Sequence, residues 1–200
     1  MSLIIRKKDL NQYLKSSRVI DFENKTITEC AKSLVKGIDT EELKVKTVYE
    51  FVRDKIEHTF DIKGNVITCK ASDVLKYGQG ICYAKSHLLA ALLRSLGIPT
   101  GFCYQKLIFS DENPKIILHG LNSVYLKSLD KWVRLDARGN KEGVNAQFSL
   151  EKEMLAFPAR SELGEVDGEE VYDEPSMNVI IALEKSSTAE ELENNLPVEI

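Results

Sequence analysis

With 200 residues, 43% of them hydrophobic and 29% charged, the chain carries enough apolar material for one core and the composition of an ordinary globular domain. Its net charge of −4 excludes a strongly basic nucleic-acid surface, and Arg6-Lys7-Lys8 reads as a solvated stretch rather than a binding patch. No run approaches the roughly 18 apolar residues of a membrane span, and "MSLIIRKKDL" lacks the order of a signal peptide, so a cytoplasmic protein with no membrane partner is expected.

The first half of the chain reads as helical. In "TITECAKSLVKG", Ile27, Cys30, Ala31, Leu34 and Val35 recur at helical spacing, and Gly37 offers a stop. A second helix is predicted from Thr40, as N-cap, to Ile56, with Glu41 and Glu42 favourably placed in its first turn. "ASDVLKYG" predicts a short helix capped by Ser72 or Asp73 and stopped at Gly78. A third long helix begins near Cys82, carries Leu89, Leu92, Leu93 and Leu96, and ends at Gly97-Ile98-Pro99. Cys82, Lys85, Ser86 and Leu89 share one face of it, which makes this helix the expected buried spine.

After Pro99 the texture changes to strands. "TGFCYQKLIFS", "KIILHGLNSVYL" and "KWVRLDAR" are strand candidates; "DENP" is a turn between the first two, and "KSLD" makes a hairpin of the last two. "SELGEVDGEEVYDEP" reads as an acidic surface loop, and its length without periodicity makes it a candidate lid. "SMNVIIALE" is expected to form a strand from Met177 to Leu183, and "SSTAEELENN" supplies cap residues for a short helix. Helices followed by strands indicate an α+β domain, expected to span 1–200 as a single unit.

The four cysteines are Cys30, Cys69, Cys82 and Cys103, none in a C-x-x-C pair, so neither zinc nor another metal or cofactor is expected. Cys30 sits on an apolar stripe and reads as core. Cys82 is different. It follows the glycine-bearing "YGQG" and opens a helix, where unpaired backbone N–H groups and the helix dipole favour a thiolate. Gly78 and Gly80 allow a tight turn and close access. Two readings stand at this point: a nucleophile, or a small apolar residue starting a buried helix.

A nucleophilic cysteine needs a base, and the base an orienting group. Of the three histidines, His58 reads as a helix-end or surface residue. His87 lies about 140° around the helix from Cys82 and reads as structural. His119 stands in one arm of the predicted hairpin and Asp136 near the end of the other, so both come out at one end of the sheet.

These residues carry a resemblance. "ASDVLKYGQGICYAKSHLLAALLRSLGIPTGFCYQ", "HGLNSVYL" and "KWVRLDARGN" are similar to the cysteine, histidine and aspartate blocks of the transglutaminase-like superfamily, which has a papain-like fold. The blocks run from 71 to 139, within a family core placed at 40–140, followed by the C-terminal strand and short helix at 176–195. His119 is followed by Gly120-Leu121 and Asp136 by Ala137-Arg138, both departures from the common family pattern.

The resemblance implies a Cys82-His119-Asp136 triad attacking an amide or ester carbonyl and forming a thioester. Gln79 is the candidate for a second oxyanion donor beside the Cys82 N–H, with a solvent-facing turn residue as the other reading. Tyr83 and Trp132 are candidates for walling the cleft or for simple core. The implied activity is a cysteine hydrolase, a peptidase or amidase acting on a peptide or protein amide. The alternatives are glutamine crosslinking with an amine acceptor and a non-catalytic binding scaffold that docks through Glu162 to Glu174. Animal transglutaminases add β-domains and calcium; neither is expected in this chain.

Overall fold

The structure is a computed structural model that describes residues 2–110 and 114–200. After a two-residue strand β1 (Ile4–Ile5) and a 3-10 turn at Leu10–Leu14 come the helices α1 (Lys25–Leu34) and α2 (Glu41–Lys55). Asn24 caps α1 by accepting the Thr26 N–H, and Thr40 caps α2 by accepting that of Leu43. Of its predicted stripe α1 buries Ile27 and Ala31 and leaves Cys30, Leu34 and Val35 half-buried, while α2 buries Val45, Val48, Tyr49 and Val52.

Next come β2 (Glu57–His58), α3 (Ala71–Tyr77), β3 (Gln79–Gly80) and α4 (Cys82–Ser95). Neither Ser72 nor Asp73 caps α3. Asp21, far back in the chain, accepts the Ser72 N–H at 3.0 Å and its hydroxyl at 2.6 Å. Gly78 ends the helix in the left-handed region, φ 65°, which glycine enters without strain. From Cys82 to Arg94 every residue of α4 is buried, including Lys85, His87 and Arg94. A helix covered on all sides lies at the centre of its fold, so truncating Leu89 to Ala costs about 2–5 kcal/mol.

The sheet combines β4 (Thr100–Ile108), β5 (Ile116–Leu126), β6 (Lys131–Leu135) and β7 (Val166–Asp167), in the order β6-β5-β4-β7 and antiparallel throughout. Its α4 side contributes Phe102, Leu118, Val124 and Leu135 to the main core. Its other side packs Cys103 and Leu121 with Tyr13, Val171 and Trp132. The hairpin turn is tied to the start of α2 by Ser128, which donates to the Glu41 and Glu42 carboxylates. The expected "DENP" turn spans residues 111–114, of which 111–113 lie outside the described residues.

Two expectations are corrected. The segment expected as a loop or lid carries a 3-10 turn (Ser161–Leu163), then β7, which pairs with β4, and β8 (Glu170–Val171), which pairs with β1. Asp167 is also held by the Arg134 guanidinium, so this segment completes the sheet edge rather than lying loose. The run expected as a strand from Met177 to Leu183 is α5 (Met177–Lys185), followed by α6 (Ala189–Asn194). Val179, Ile180 and Leu183 are buried while Met177 and Ile181 are exposed, a helical stripe. A short apolar run fits either periodicity, and packing against the main core decides it.

Candidate active site

The approach to Cys82 is a sequence of close fits. After Gly78, β3 pairs in parallel with β2, Glu57 opposite Gln79 and His58 opposite Gly80. Thr68 donates its hydroxyl to the Gln79 carbonyl at 3.0 Å. A Cβ on Gly80 would stand 2.9 Å from the Ala84 Cβ and 3.0 Å from Thr68 Oγ1. Gly80 therefore serves the seating of the first turn of α4.

What brings that turn to His119 is an open strand edge. β6 pairs with β5 only from Asn122 to Leu126, which leaves the β5 backbone from Leu118 to Gly120 without a strand neighbour on that side. The beginning of α4 fills the gap. Tyr83 donates its hydroxyl to the Leu118 carbonyl, and Ser86 donates to the Gly120 carbonyl at 3.2 Å. The Leu118 N–H is taken by the Pro197 carbonyl at 2.8 Å. A Cβ on Gly120 would lie 2.7 Å from Tyr83 Cδ1, so the lack of a side chain at this position is what lets helix and strand approach. Tyr83 is thus buried packing behind the site and does not wall a cleft.

At this edge Cys82, opening α4, is near enough for its charge to act on His119, and His119 Nε2 meets Asp136 Oδ2 at 2.8 Å. Asp136 is fully buried, and Cys82 and His119 are only 8% and 3% exposed. An ionised carboxylate only accepts, so Nε2 carries the proton toward Asp136 and Nδ1 is the nitrogen left for the thiol. Asp136 also accepts the Arg138 N–H at Oδ1 (3.1 Å) and the Ala156 N–H at Oδ2 (3.0 Å). Burial opposes its charge, but His119 and these two N–H groups hold its pKa below the usual range. For His119, burial pushes the pKa down, and the charges of Asp136 and Cys82 with the Asp136 hydrogen bond outweigh it, raising it to about 10.

Of the remaining candidates, Trp132 and His87 lie away from Cys82 and Gln79 lies just before it in the chain. Gln79 is half-buried with its side chain over the Gly64 backbone; its Oε1 has no hydrogen-bond partner among the described residues. Trp132 stands four residues before Asp136, about 13 Å along a strand, and packs on Tyr13 and Tyr125 with ring centres 4.9 and 5.5 Å away. It lines a separate groove with Leu3, Ile5 and Leu150, not the surroundings of Cys82. His87 donates from Nδ1 to the Cys69 carbonyl at 2.8 Å and is buried structure.

His58 departs from its expectation. It is buried, with Nδ1 unpartnered among the described residues, and burial beside Arg138 drives its pKa down to about 3. It borders a polar cavity of about 230 Å³ shared with Arg53, Asp61, Lys85 and Asn140. In that cavity Lys85 donates to the Arg53 and Ile56 carbonyls at the end of α2, and burial lowers its pKa to about 7.

On the other side, Phe157 sets its ring edge against His119, centres 5.2 Å apart, and borders a cavity of about 430 Å³ with Gln105, Met154 and Asp167. Neither Phe157 nor Ala156 carries a sequence signal, because both reach the site from an irregular segment. Among the described residues no group of three or more His, Cys, Asp or Glu side chains is arranged to hold a metal ion.

A family profile described as the transglutaminase-like superfamily matches residues 28–137, more than half of the chain. No curated protein matches the chain. Among solved structures, a proposed cysteine protease from Cytophaga hutchinsonii is similar with a TM-score of 0.54 at 22% identity, over 66% of this chain and 43% of its own. A proposed protease from Parabacteroides distasonis is similar at 0.41 and 14% identity, over 74% and 30% of the two chains. A TGase is similar at 0.45 and 15%, over 90% and 52%. The chain spans between 30% and 52% of the length of these three structures, and the Cytophaga likeness shows a shared fold.

Proposed function

The chain belongs to the transglutaminase-like superfamily, and from that premise we propose that it is a cysteine hydrolase, a peptidase or amidase, whose acyl transfer is carried by Cys82, His119 and Asp136. The observation that supports this most is the contiguous row of Cys82, His119 and Asp136 at the start of α4. Asp136 holds the imidazole in one tautomer and stabilises its charged form, the work of an orienting carboxylate.

In the proposed reaction His119 takes the thiol proton and Cys82 attacks the carbonyl of a peptide or protein amide. The negative charge on the carbonyl oxygen faces the Cys82 N–H at the helix N-terminus, with the Gln79 amide as proposed second donor. Protonated His119 then gives its proton to the leaving amine, and a thioester remains. Water, deprotonated by His119, attacks the thioester and releases the acid and the free thiol.

The test is the rate of Cys82 alkylation by iodoacetamide against pH, in wild type and in His119→Ala. The expected result is rapid alkylation persisting well below the free-thiol pKa of about 8.5, and its loss in the variant. An ordinary thiol profile, unchanged by the substitution, would overturn the enzyme reading and favour a binding scaffold. With reactivity established, amine incorporation into a glutamine peptide separates crosslinking from hydrolysis.

A further inference from the structure

Arg138 occupies one of the positions where the sequence departs from the family pattern, and the structure gives it four connections around the site. It is buried, 6% exposed, two residues beyond Asp136. Its backbone N–H donates to Asp136 Oδ1. Its guanidinium forks onto Asp61, Nη1 to Oδ2 at 2.5 Å and Nη2 to Oδ1 at 2.8 Å. Its Cζ stands 5.6 Å from the centre of the Phe157 ring. That ring in turn sets its edge against His119, interplanar angle 83°. Phe157 is also pinned through its neighbour, since the Ala156 N–H donates to Asp136 Oδ2 at 3.0 Å.

A buried guanidinium is tolerated only when paired, and Asp61 pairs it with both oxygens. Asp61 lies in the turn after β2, and Lys141 Nζ reaches the same carboxylate at 2.9 Å. The turn and the sheet are thereby clamped together beside the site. Lysine cannot replace this arrangement, because only the planar fork meets both carboxylate oxygens while its central carbon stands over the aromatic ring. Asp61–Arg138–Phe157–His119 thus forms a continuous line of contacts that ends on the imidazole, while the Arg138 backbone N–H holds the partner carboxylate of the same imidazole.

We propose that Arg138 is a positioning residue for His119: anchored by Asp61, it holds the Phe157 ring and the Asp136 carboxylate so that the imidazole keeps one orientation. Its consequence for turnover rests on the hydrolase reading above; its consequence for His119 geometry does not.

The experiment follows the His119 imidazole resonances by NMR, with the Cys82 alkylation profile and thermal unfolding measured on the same samples. The variants are Arg138→Leu, Arg138→Lys, Phe157→Leu and the Arg138→Leu/Phe157→Leu double. The expected result is that Arg138→Leu and Phe157→Leu move the His119 ring signals in the same direction, and that the double variant moves them no further. Alkylation should slow by about tenfold to a hundredfold, the scale of a modest misplacement, with Arg138→Lys recovering only part of it. His119 signals left at their wild-type positions in both Arg138 variants, even with lowered thermal stability, would overturn the proposal. So would effects of Arg138→Leu and Phe157→Leu that simply add. An unreactive wild-type Cys82 would instead overturn the hydrolase reading, and the His119 signals would still decide the role of Arg138.

Discussion

His87 in the middle of α4 and His119 at the open edge of β5 are both buried, and each has an aromatic ring set edge-on against it. The ring centres are 5.9 Å apart for His87 and Phe102, and 5.2 Å for His119 and Phe157. The two nevertheless titrate in opposite directions. Burial lowers His87 to about 4, because its one good partner is the neutral Cys69 carbonyl. His119 suffers the same burial but faces a carboxylate and a thiol, and rises to about 10. The difference between a structural and a chemically poised histidine here is the charge of its partner, not its depth or its aromatic packing.

Removing that partner charge is the strongest way to break the comparison. Asp136→Asn should turn His119 into a second His87, with its NMR titration falling below the ordinary histidine value near 6.5. If the hydrolase reading holds, turnover should drop by roughly 10,000-fold, the scale seen when an orienting carboxylate of a triad is neutralised. A His119 titration still raised in this variant would show that Asp136 is not the source of the shift.

The same contrast divides the pH dependence of stability. His119 binds its proton more tightly folded than unfolded, so its contribution is fully present below about 6.5 and is lost as pH rises toward about 10. His87 is the reverse: the unfolded chain protonates first, so stability is lost as pH falls from about 6.5 toward about 4. Lys85, lowered to about 7, has a slope opposite to that of His119 on the alkaline side, so difference curves between wild type and variant are the proper readout. Denaturant unfolding should show His119→Gln altering the alkaline limb, with a further change only at the acid end where Asp136 titrates, and His87→Phe altering the limb between about 6.5 and about 4 and leaving the alkaline limb unchanged. Equal changes in both limbs from either variant would break the assignment.

A smaller effect tests what sets His119 beside Cys82 at all. Gly120→Ala places a Cβ 2.7 Å from Tyr83 Cδ1, and relief means moving the start of α4 away from β5. The expected cost is about 1–3 kcal/mol of stability. Cys82 alkylation should slow, while the His87 titration, one helical turn further in, stays where it was. A stable variant with unchanged alkylation would show that the strand edge does not control the spacing.

Much of this was legible in the chain. Thr40 before two glutamates, Gly78 after a short apolar pattern, and Gly97-Ile98-Pro99 are local signals, and local hydrogen bonding decides those helix ends. The hairpin between β5 and β6 follows from two alternating runs and a four-residue connection, which is enough to bring His119 and Asp136 to one end. Long-range choices were not legible. The α3 cap comes from Asp21, and the apolar run at Met177–Lys185 became a helix through packing that the run itself does not encode. The acidic 161–175 segment looked unattached because strands of two residues leave no period to read. Tyr83 and Trp132 stood near the right residues in sequence, but aromatic type does not say whether a ring faces a cleft, a strand edge or a second core.

Tyr83 offers the finest test of the edge. Its hydroxyl satisfies the Leu118 carbonyl, which β6 does not reach, and its ring fills the space above Gly120. Tyr83→Phe keeps the ring and removes only the hydroxyl, leaving that buried carbonyl without its donor. The loss should be about 1 kcal/mol, near the net worth of one neutral hydrogen bond plus part of the desolvation it offset. Because the ring still sets the distance between α4 and β5, Cys82 alkylation should change by less than in Gly120→Ala. Hydrogen exchange should show faster opening at Leu118 and little change at His87. A loss as large as that of Gly120→Ala would mean that the hydroxyl, rather than the close packing of ring on glycine, holds the nucleophile's helix against the histidine's strand.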